Sequence, residues 1–176
     1  VPLKSTNKTQ NNKMKKCLIA GVFHSDAYHI WQPIIAAINI LKSKNFSQTQ
    51  FSFAGYFTEE ATKTKWYQEI ILEIQKLETE QIFKSLGAYN SEQIQNIFND
   101  IDFALHLVDK DPCPNAVIER MALGIPHIYS NSGGTRQLIG DSGIPLNVDE
   151  NWLQKSPVNE QDLANAIIEM CDKWQI

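Results

Sequence analysis

The chain has 176 residues, of which 43% are hydrophobic and 20% charged, and its net charge is −4. This length suffices for one domain with a sizeable core, and the composition is that of an ordinary globular protein. No apolar run approaches the ~18 residues of a membrane span. Three widely spaced cysteines, Cys17, Cys113 and Cys171, exclude a disulfide scaffold and a Cys-x-x-Cys metal site. We therefore expect no transmembrane segment and a reducing, cytoplasmic setting.

Residues 1–15 form a polar, basic stretch that we expect to be a linker or a disordered tail. Five of the 16 basic residues lie in residues 1–16, which contain no acid, so the remainder holds 11 basic against 20 acidic residues. An acidic body with only two arginines makes nucleic acid a poor partner. The chain begins at Val1 rather than at methionine, and we expect it to be part of a longer protein.

From Cys17 onward, short apolar runs alternate with segments of helical periodicity. The pattern predicts, in chain order, a strand at 17–23, a helix around 31–41, strands at 51–57 and 81–86 with a helix at 66–77 between them, a helix at 94–101, a strand at 103–108, a helix at 115–123, strands at 127–129 and 143–148, and a closing helix at 163–174. Ser91 and Asn159 are placed to cap the helices that follow them. Uniformly apolar strands separated by helices indicate a parallel sheet covered on both faces. We predict a Rossmann-like, doubly wound, mostly parallel α/β sheet of about six strands in residues 16–176.

Ligands of such sheets bind beyond the carboxyl ends of the strands, near the point where the strand order reverses. This rule draws attention to the loops at 22–30, 108–115 and 130–136. Gly21 is a lone glycine after the first strand, and the absence of a Gly-x-Gly-x-x-Gly sequence there counts against NAD or FAD as a cofactor.

The stretch that carries the chemistry runs from Asp109 to Ile128. Asp111 follows an apolar strand, and Glu119 lies on the next helix with seven residues between the two. Pro114 suits the first helical position, which would leave three amides pointing out of the helix N-terminus as an anion site, those of Asn115, Ala116 and Val117. Two carboxylates beside such amides can bind sugar and ribose hydroxyls. A helix with an acidic first turn and no ligand would explain the same spacing.

This stretch resembles the group 1, or family 4, glycosyltransferases. The matching residues are Glu119, Ala122, Gly124, Pro126 and Ile128, followed by Gly133-Gly134. Members of that family are retaining enzymes built from two Rossmann-like domains with the active site between them. The resemblance implies that this chain is the C-terminal, donor-binding half, with the N-terminal acceptor-binding domain missing. It implies transfer of a hexose-type unit from a nucleotide diphosphate sugar, without a cofactor or a metal. It also implies that this fragment is inactive alone. Any peripheral contact with a membrane would be made by the missing domain.

The resemblance also implies roles for individual residues. Glu119 would hold the ribose hydroxyls, Asp111 would contact the donor sugar, and the amides from Pro114 to Val117 would face the sugar or phosphates. Gly87 and Ala88 sit where the family binds the base. The remaining donor-binding candidates come from the loops after the first and fifth strands: Gly21, His24, Gly133, Gly134, Thr135 and Arg136.

The chain departs from the family pattern in three places. Asp111 is one methylene shorter than the usual glutamate, and the acid expected shortly after Gly-Gly is Gln137. Val22 and Ala27 stand where an arginine and a lysine usually neutralise the leaving diphosphate. The nearby residues that can carry positive charge are His24, His29 and Arg136.

These departures leave a second interpretation open, a non-catalytic domain that binds a nucleotide or nucleotide sugar, and, more distantly, a nucleotide-sugar epimerase. Two Asp-x-Asp sequences, Asp100-Ile-Asp102 and Asp109-Lys-Asp111, are typical of metal-dependent glycosyltransferases of another fold, a weaker interpretation. We expect Cys113 to be a structural or chance cysteine. We expect His106 and His127 to be core residues, and Arg120 and Arg136 to be solvated at the surface.

Overall fold

The computed structural model describes residues 13–149 and 153–173, and the predicted tail residues 1–12 and Trp174 lie outside them. The elements are, in chain order, β1 (Lys15–Phe23), α1 (Tyr28–Ser43), β2 (Thr49–Phe57), α2 (Glu59–Thr62), α3 (Lys65–Thr79), β3 (Phe83–Gly87), α4 (Ile94–Phe98), β4 (Phe103–His106), α5 (Asn115–Ala122), β5 (His127–Ser130), α6 (Thr135–Ile139), β6 (Gly143–Leu146) and α7 (Glu160–Lys173). Short 3₁₀ turns at Ser91–Gln93 and Gly140–Ser142 precede α4 and follow α6. No helix in these described ranges is long and apolar enough to cross a membrane.

All six strands lie parallel in one sheet, in the order β3-β2-β1-β4-β5-β6. β1 pairs with β2 on one side and with β4 on the other. The direction of winding therefore reverses between β1 and β4, which is the switch point where ligands of such sheets bind. This topology confirms the predicted doubly wound fold.

The sheet is covered on both faces because its strands are apolar at consecutive positions. In β1, Cys17, Leu18 and Ile19 are each at most 1% exposed. One face packs against α1, α3 and α7 around Trp31. The other face packs against α4 and the segment after α5, with Leu18, Ala104 and Phe98 at its centre.

The helix boundaries differ from the sequence pattern mainly around α4. This helix is predicted at 94–101 but ends at Phe98, and Ser91 lies within the turn before it. Asn90 caps this turn, since its side chain accepts from the Gln93 amide at 3.1 Å and the Gln93 side chain accepts from the Asn90 amide at 3.0 Å. The predicted cap Asn159 is confirmed, because its side chain accepts from the amides of Gln161 and Asp162, at 2.9 and 3.0 Å.

Strand lengths at the carboxyl edge also differ from the pattern. β4 is predicted to reach residue 108 but ends at His106. Its pairing with β1 runs only to Ile19↔Leu105, whereas β1 and β2 remain paired up to Phe23↔Phe57. The β1 backbone after Ile19 therefore has no strand beside it on the β4 side, and its polar groups there need other partners.

Candidate functional site

The loops after β4 and β5 are joined directly, through backbone. The Gly134 amide donates to the Asp111 carbonyl oxygen at 2.8 Å. A β-carbon at Gly134 would stand 2.3 Å from the Pro112 carbonyl oxygen, and one at Gly133 would stand 2.5 Å from that of Asp111. Gly133 also has a φ of +58°, where glycine is favoured. The Gly-Gly pair is therefore required because the two loops pass backbone against backbone.

The loop after β1 contains two histidines with different environments. His24 is exposed. His29 is 1% exposed, with Nδ1 2.7 Å from the Asp26 carbonyl oxygen, and burial lowers the pKa of its ring. His29 is therefore neutral at pH 7 and is not a replacement for a diphosphate-binding cation, contrary to the sequence-based suggestion.

A pocket of about 280 Å³ opens beyond the carboxyl ends of β1, β2 and β3. Two predicted site residues line it, Gly21 and Glu119. Val22, where the family usually has an arginine, lines it too. The remaining lining residues, which the sequence pattern did not single out, are Gly55, Tyr56, Tyr89, Asn90 and Ile94. A β-carbon at Gly55 would stand 1.9 Å from the Gly21 carbonyl oxygen, so these two paired glycines let the β1 and β2 backbones approach closely at the pocket.

Tyr56 and Tyr89 follow a signal that the sequence did contain. Both lie near the carboxyl ends of predicted strands, and the rule that directed attention to three other loops applies equally to theirs. Gly87 and Ala88 are exposed and immediately precede Tyr89, but they do not line the pocket. In the segment after β3, Tyr89 and Asn90 line the pocket instead.

Asp111 lies in the loop after β4, outside the residues that line this pocket. One carboxylate oxygen, Oδ1, accepts from the Cys113 amide at 3.1 Å, and Oδ2 lies 3.3 Å from Nε2 of His106. His106 is 6% exposed, and burial together with the charge of Arg120 lowers its pKa to about 4. Asp111 therefore lies beside a neutral core histidine without a hydrogen bond to it, and Cys113 contributes its backbone while its side chain is exposed.

The N-terminus of α5 offers fewer free amides than expected. Pro114 is the N-cap rather than the first helical residue. The Asn115 amide donates to the Cys113 carbonyl and the Val117 amide to the Pro114 carbonyl, both at 2.9 Å. Of the three amides proposed for a ligand, only that of Ala116 has no acceptor among the described residues.

The predicted site residues that follow the Gly-Gly pair differ in their exposure to solvent. Thr135 is fully buried and its hydroxyl has no hydrogen-bond partner among the described residues. Arg136 and Gln137 are exposed on α6. Arg136 therefore remains available to an anion, whereas the Thr135 side chain is not presented to solvent.

Arg120 is buried, and the expectation that it is solvated is wrong. Its side chain is 1% exposed because it points into the core from α5. Nη2 donates to the Ala20 carbonyl oxygen at 3.0 Å, while Nε and Nη1 have no partner among the described residues. His127 is fully buried, as expected, and burial together with Arg120 lowers its pKa to about 3.

The two Asp-x-Asp sequences lie at opposite ends of β4. Asp102, before the strand, accepts from the Lys16 amide at 2.8 Å. Asp109, after the strand, is 2% exposed and accepts from the Lys110 side chain and from the Ser156 amide. Burial alone would raise the pKa of Asp109, but these hydrogen bonds hold it below its usual value. Both aspartates therefore have structural partners, and no cluster of three potential metal ligands occurs in the described parts of the chain.

A larger cavity of about 500 Å³ lies at the other end of the strands, away from the site. Its walls come from the C-terminal ends of α1 and α3 and from the start of β2. It contains none of the predicted site residues, and it lies at the amino ends of the strands, where ligands of this architecture do not bind.

The comparisons with known proteins agree with this geometry. The family model described as glycosyl transferases group 1 matches residues 7–175. No curated protein sequence matches the chain significantly.

Three solved structures share the fold. Anabaena Alr3699/HepE, solved in complex with UDP and glucose, is 20% identical over 93% of this chain with a TM-score of 0.68, and this chain spans 40% of its length. The C-terminal domain of the group 1 family protein LpcC from Francisella tularensis is 15% identical over 89% of this chain and 74% of its own, with a TM-score of 0.65. The catalytic domain of the Helicobacter pylori cholesterol-α-glucosyltransferase is 21% identical over 89% of this chain and 85% of its own, with a TM-score of 0.63. Since the family model covers almost the whole chain, this protein belongs to the group 1 glycosyltransferase family.

Proposed function

We propose that this chain is the donor-binding domain of a retaining glycosyltransferase, which transfers a hexose-type sugar from a nucleoside diphosphate sugar. The observation that carries the proposal is the pocket beside the switch point, where Glu119 faces the ends of β1, β2 and β3 in a chain of this family. HepE, whose structure contains the same fold, was solved in complex with UDP and glucose, which supports a nucleotide sugar as the ligand.

In this proposal the nucleoside occupies the 280 Å³ pocket. Glu119 accepts hydrogen bonds from the ribose hydroxyls, and Tyr56, Tyr89 and Asn90 surround the base. A carboxylate that accepts from a hydroxyl forms a charge-assisted bond, stronger than a neutral one. The diphosphate then extends past Gly21 toward the loop after β4.

The sugar lies against Asp111 and the start of α5. The bond between the anomeric carbon and the diphosphate oxygen breaks and the diphosphate leaves with the electron pair. The acceptor hydroxyl forms the new bond on the same face and passes its proton to the departing diphosphate oxygen. The Cys113 amide orients Asp111 for sugar hydroxyls, and the His106 ring lies 3.3 Å from its other carboxylate oxygen. The Ala116 amide, Arg136 and His24 are the donors proposed for the diphosphate, and the glycines of the Gly-Gly pair shape the loop that surrounds the sugar.

A non-catalytic binder is the alternative that a specific observation favours. Val22 lines the pocket with an exposed apolar side chain, and Ala27 is buried, so neither position provides a cation for the leaving group. Catalysis of transfer needs fixed donors aimed at the charge that develops there. In this alternative the chain binds a nucleotide or nucleotide sugar in the pocket but does not take part in sugar transfer.

The chain spans 40% of HepE, so we also propose that a second, acceptor-binding domain completes the active site. That domain, rather than this one, would provide any peripheral contact with a membrane in a cytoplasmic enzyme. The proposal requires neither a cofactor nor a metal ion.

Calorimetric titration of the chain with UDP, GDP and ADP tests the binding half of the proposal. We expect one of them to bind, and Glu119→Ala to weaken it by roughly 1.5–3 kcal/mol, the range for a hydrogen bond to a charged group. Glu60→Ala removes another exposed carboxylate, from α2, and serves as the control. Absence of binding at millimolar concentration, or equal binding by Glu119→Ala, contradicts the site assignment. Transfer assays on a longer protein that includes the second domain then separate the enzyme from the binder.

A further inference from the structure

Arg120 is a buried cation at the switch point of the sheet that the proposed site does not yet use. β4 stops pairing with β1 at Ile19↔Leu105, so the Ala20 carbonyl has no strand partner on that side. Nη2 of Arg120 fills the vacant position and donates to this carbonyl at 3.0 Å. The guanidinium therefore lies one residue from Gly21, which lines the nucleotide pocket.

The guanidinium of Arg120 is only partly satisfied inside the protein. The ion pairs of the described residues do not include it, and Nε and Nη1 lack hydrogen-bond partners there although the side chain is 1% exposed. Its electrostatic partners are Tyr89 and Glu119, and both line the pocket. An arginine remains protonated in proteins, so a buried positive charge lies behind this wall of the pocket, with the Glu119 carboxylate acting on it but not in an ion pair with it.

The core around Arg120 responds to this charge. After burial, the charge of Arg120 is the largest cause of the lowered pKa values of His106 and His127. Both rings are neutral at pH 7 and cannot compensate the guanidinium. A buried charge without a partner is strongly destabilising, and an anionic ligand in the adjacent pocket would relieve it.

We propose that Arg120 is the fixed positive charge that favours the donor's diphosphate, in place of the two cations missing at Val22 and Ala27. The inference rests on the proposed function, since it presupposes a nucleoside diphosphate in the pocket. Arg120 acts through its field and through the Ala20–Gly21 peptide and does not touch the ligand. It is a positioning residue for the ligand's charge.

The test compares a nucleoside diphosphate with its neutral nucleoside, because a merely structural role would affect both alike. Calorimetry measures the affinities of the wild type, Arg120→Gln and Arg120→Lys for UDP and for uridine. If the chain prefers another base, the diphosphate and nucleoside of that base are used. Arg120→Gln keeps a donor for the Ala20 carbonyl and removes the charge. We expect it to weaken binding of UDP at least tenfold and binding of uridine less than threefold. We expect Arg120→Lys to restore most of the lost preference for UDP over uridine. Lys44→Met removes a positive charge from the exposed end of α1, at the far edge of the sheet, and should change neither affinity.

A second variant guards against loss of folding in Arg120→Gln. His127→Glu places a carboxylate beside Arg120, so that the guanidinium is neutralised internally, and we expect the same selective loss of UDP affinity. Near-ultraviolet circular dichroism establishes which variants keep the native packing. If a folded variant of either kind retains the wild-type ratio of UDP to uridine affinity, or loses both affinities equally, the inference is overturned while the proposed function stands. If the wild type binds no nucleoside diphosphate, the proposed function fails and this inference with it.

Discussion

The amide of Gly134 donates to the carbonyl oxygen of Asp111 at 2.8 Å, which fixes the loop after β5 against the loop after β4. The contact leaves no room for a side chain, since a β-carbon at Gly134 would stand 2.3 Å from the Pro112 carbonyl oxygen. Asp111 is the residue proposed to contact the donor sugar. Its position therefore depends on a glycine in another loop.

Gly134→Ala should lower the free energy of unfolding by roughly 2–3 kcal/mol, because the added methyl group meets backbone that cannot move aside without displacing the Asp111 loop. Gly124→Ala is the control. Gly124 has a φ of +75° but nothing within 4 Å of its would-be β-carbon, so it should cost only about 1 kcal/mol for the left-handed backbone. Urea denaturation measures both. Equal losses of unfolding free energy in the two variants would mean that the two loops can separate without destabilising the protein.

Stability should fall as the pH is lowered from about 6.5 to 4.5. His106 and His127 have pKa values of about 4 and 3 in the folded chain, below the ~6.5 of an unfolded histidine. In this window the unfolded state binds more protons than the folded state, so the free energy of unfolding rises with pH and is lost on acidification. Each histidine should contribute about 2 kcal/mol to the loss between pH 6.5 and 4.5, and urea denaturation at pH 7, 5.5 and 4.5 measures it.

His127→Leu identifies the source of that pH dependence. Both ring nitrogens of His127 lack hydrogen-bond partners among the described residues, so an apolar side chain of similar size should be tolerated. The variant should lose about half of the change in stability between pH 6.5 and 4.5. An unchanged pH profile would show that other groups, such as the buried His29, dominate it.

Tyr56→Ala should weaken nucleoside diphosphate binding by about 1–3 kcal/mol, the range for stacking a base on an aromatic ring. Tyr56 is 51% exposed and lines the pocket. Tyr28 is 45% exposed at the same edge of the sheet but outside the pocket, so Tyr28→Ala is the matched control and should leave binding unchanged. Calorimetric titration distinguishes the two, and equal effects would place the base elsewhere.

His24→Ala should lower the rate of sugar transfer at least tenfold in a protein that includes the second domain. The side chain is exposed in the loop after β1, so its loss should leave the fold intact, while one donor near the leaving diphosphate disappears. Steady-state kinetics measures the rate, and circular dichroism the fold. Unchanged turnover would leave Arg136, Arg120 or the second domain as the source of that stabilisation.

The sequence was informative wherever a pattern reflects local physics. Apolar runs such as Cys17–Phe23 predicted the buried strands, and Asn159 was recognisable as a cap because side-chain capping involves only the next few residues. The motif from Asp111 to Glu119 predicted the strand, loop and helix that carry both carboxylates, and the family match confirms the resemblance drawn from it.

The tertiary structure decided what depends on neighbours distant in the chain. Helical spacing places Arg120 about 100° from Glu119, but only the early end of β4 opens the position at Ala20 that draws its guanidinium into the core. The free amides expected at the start of α5 were lost because the turn after Asp111 uses two of them itself. The sequence by itself thus determined the fold class and the family, and the roles proposed for Asp111 and Glu119 stay predictions. Which charges are buried, which amides are free and which aromatic rings line the pocket follow from where each strand ends.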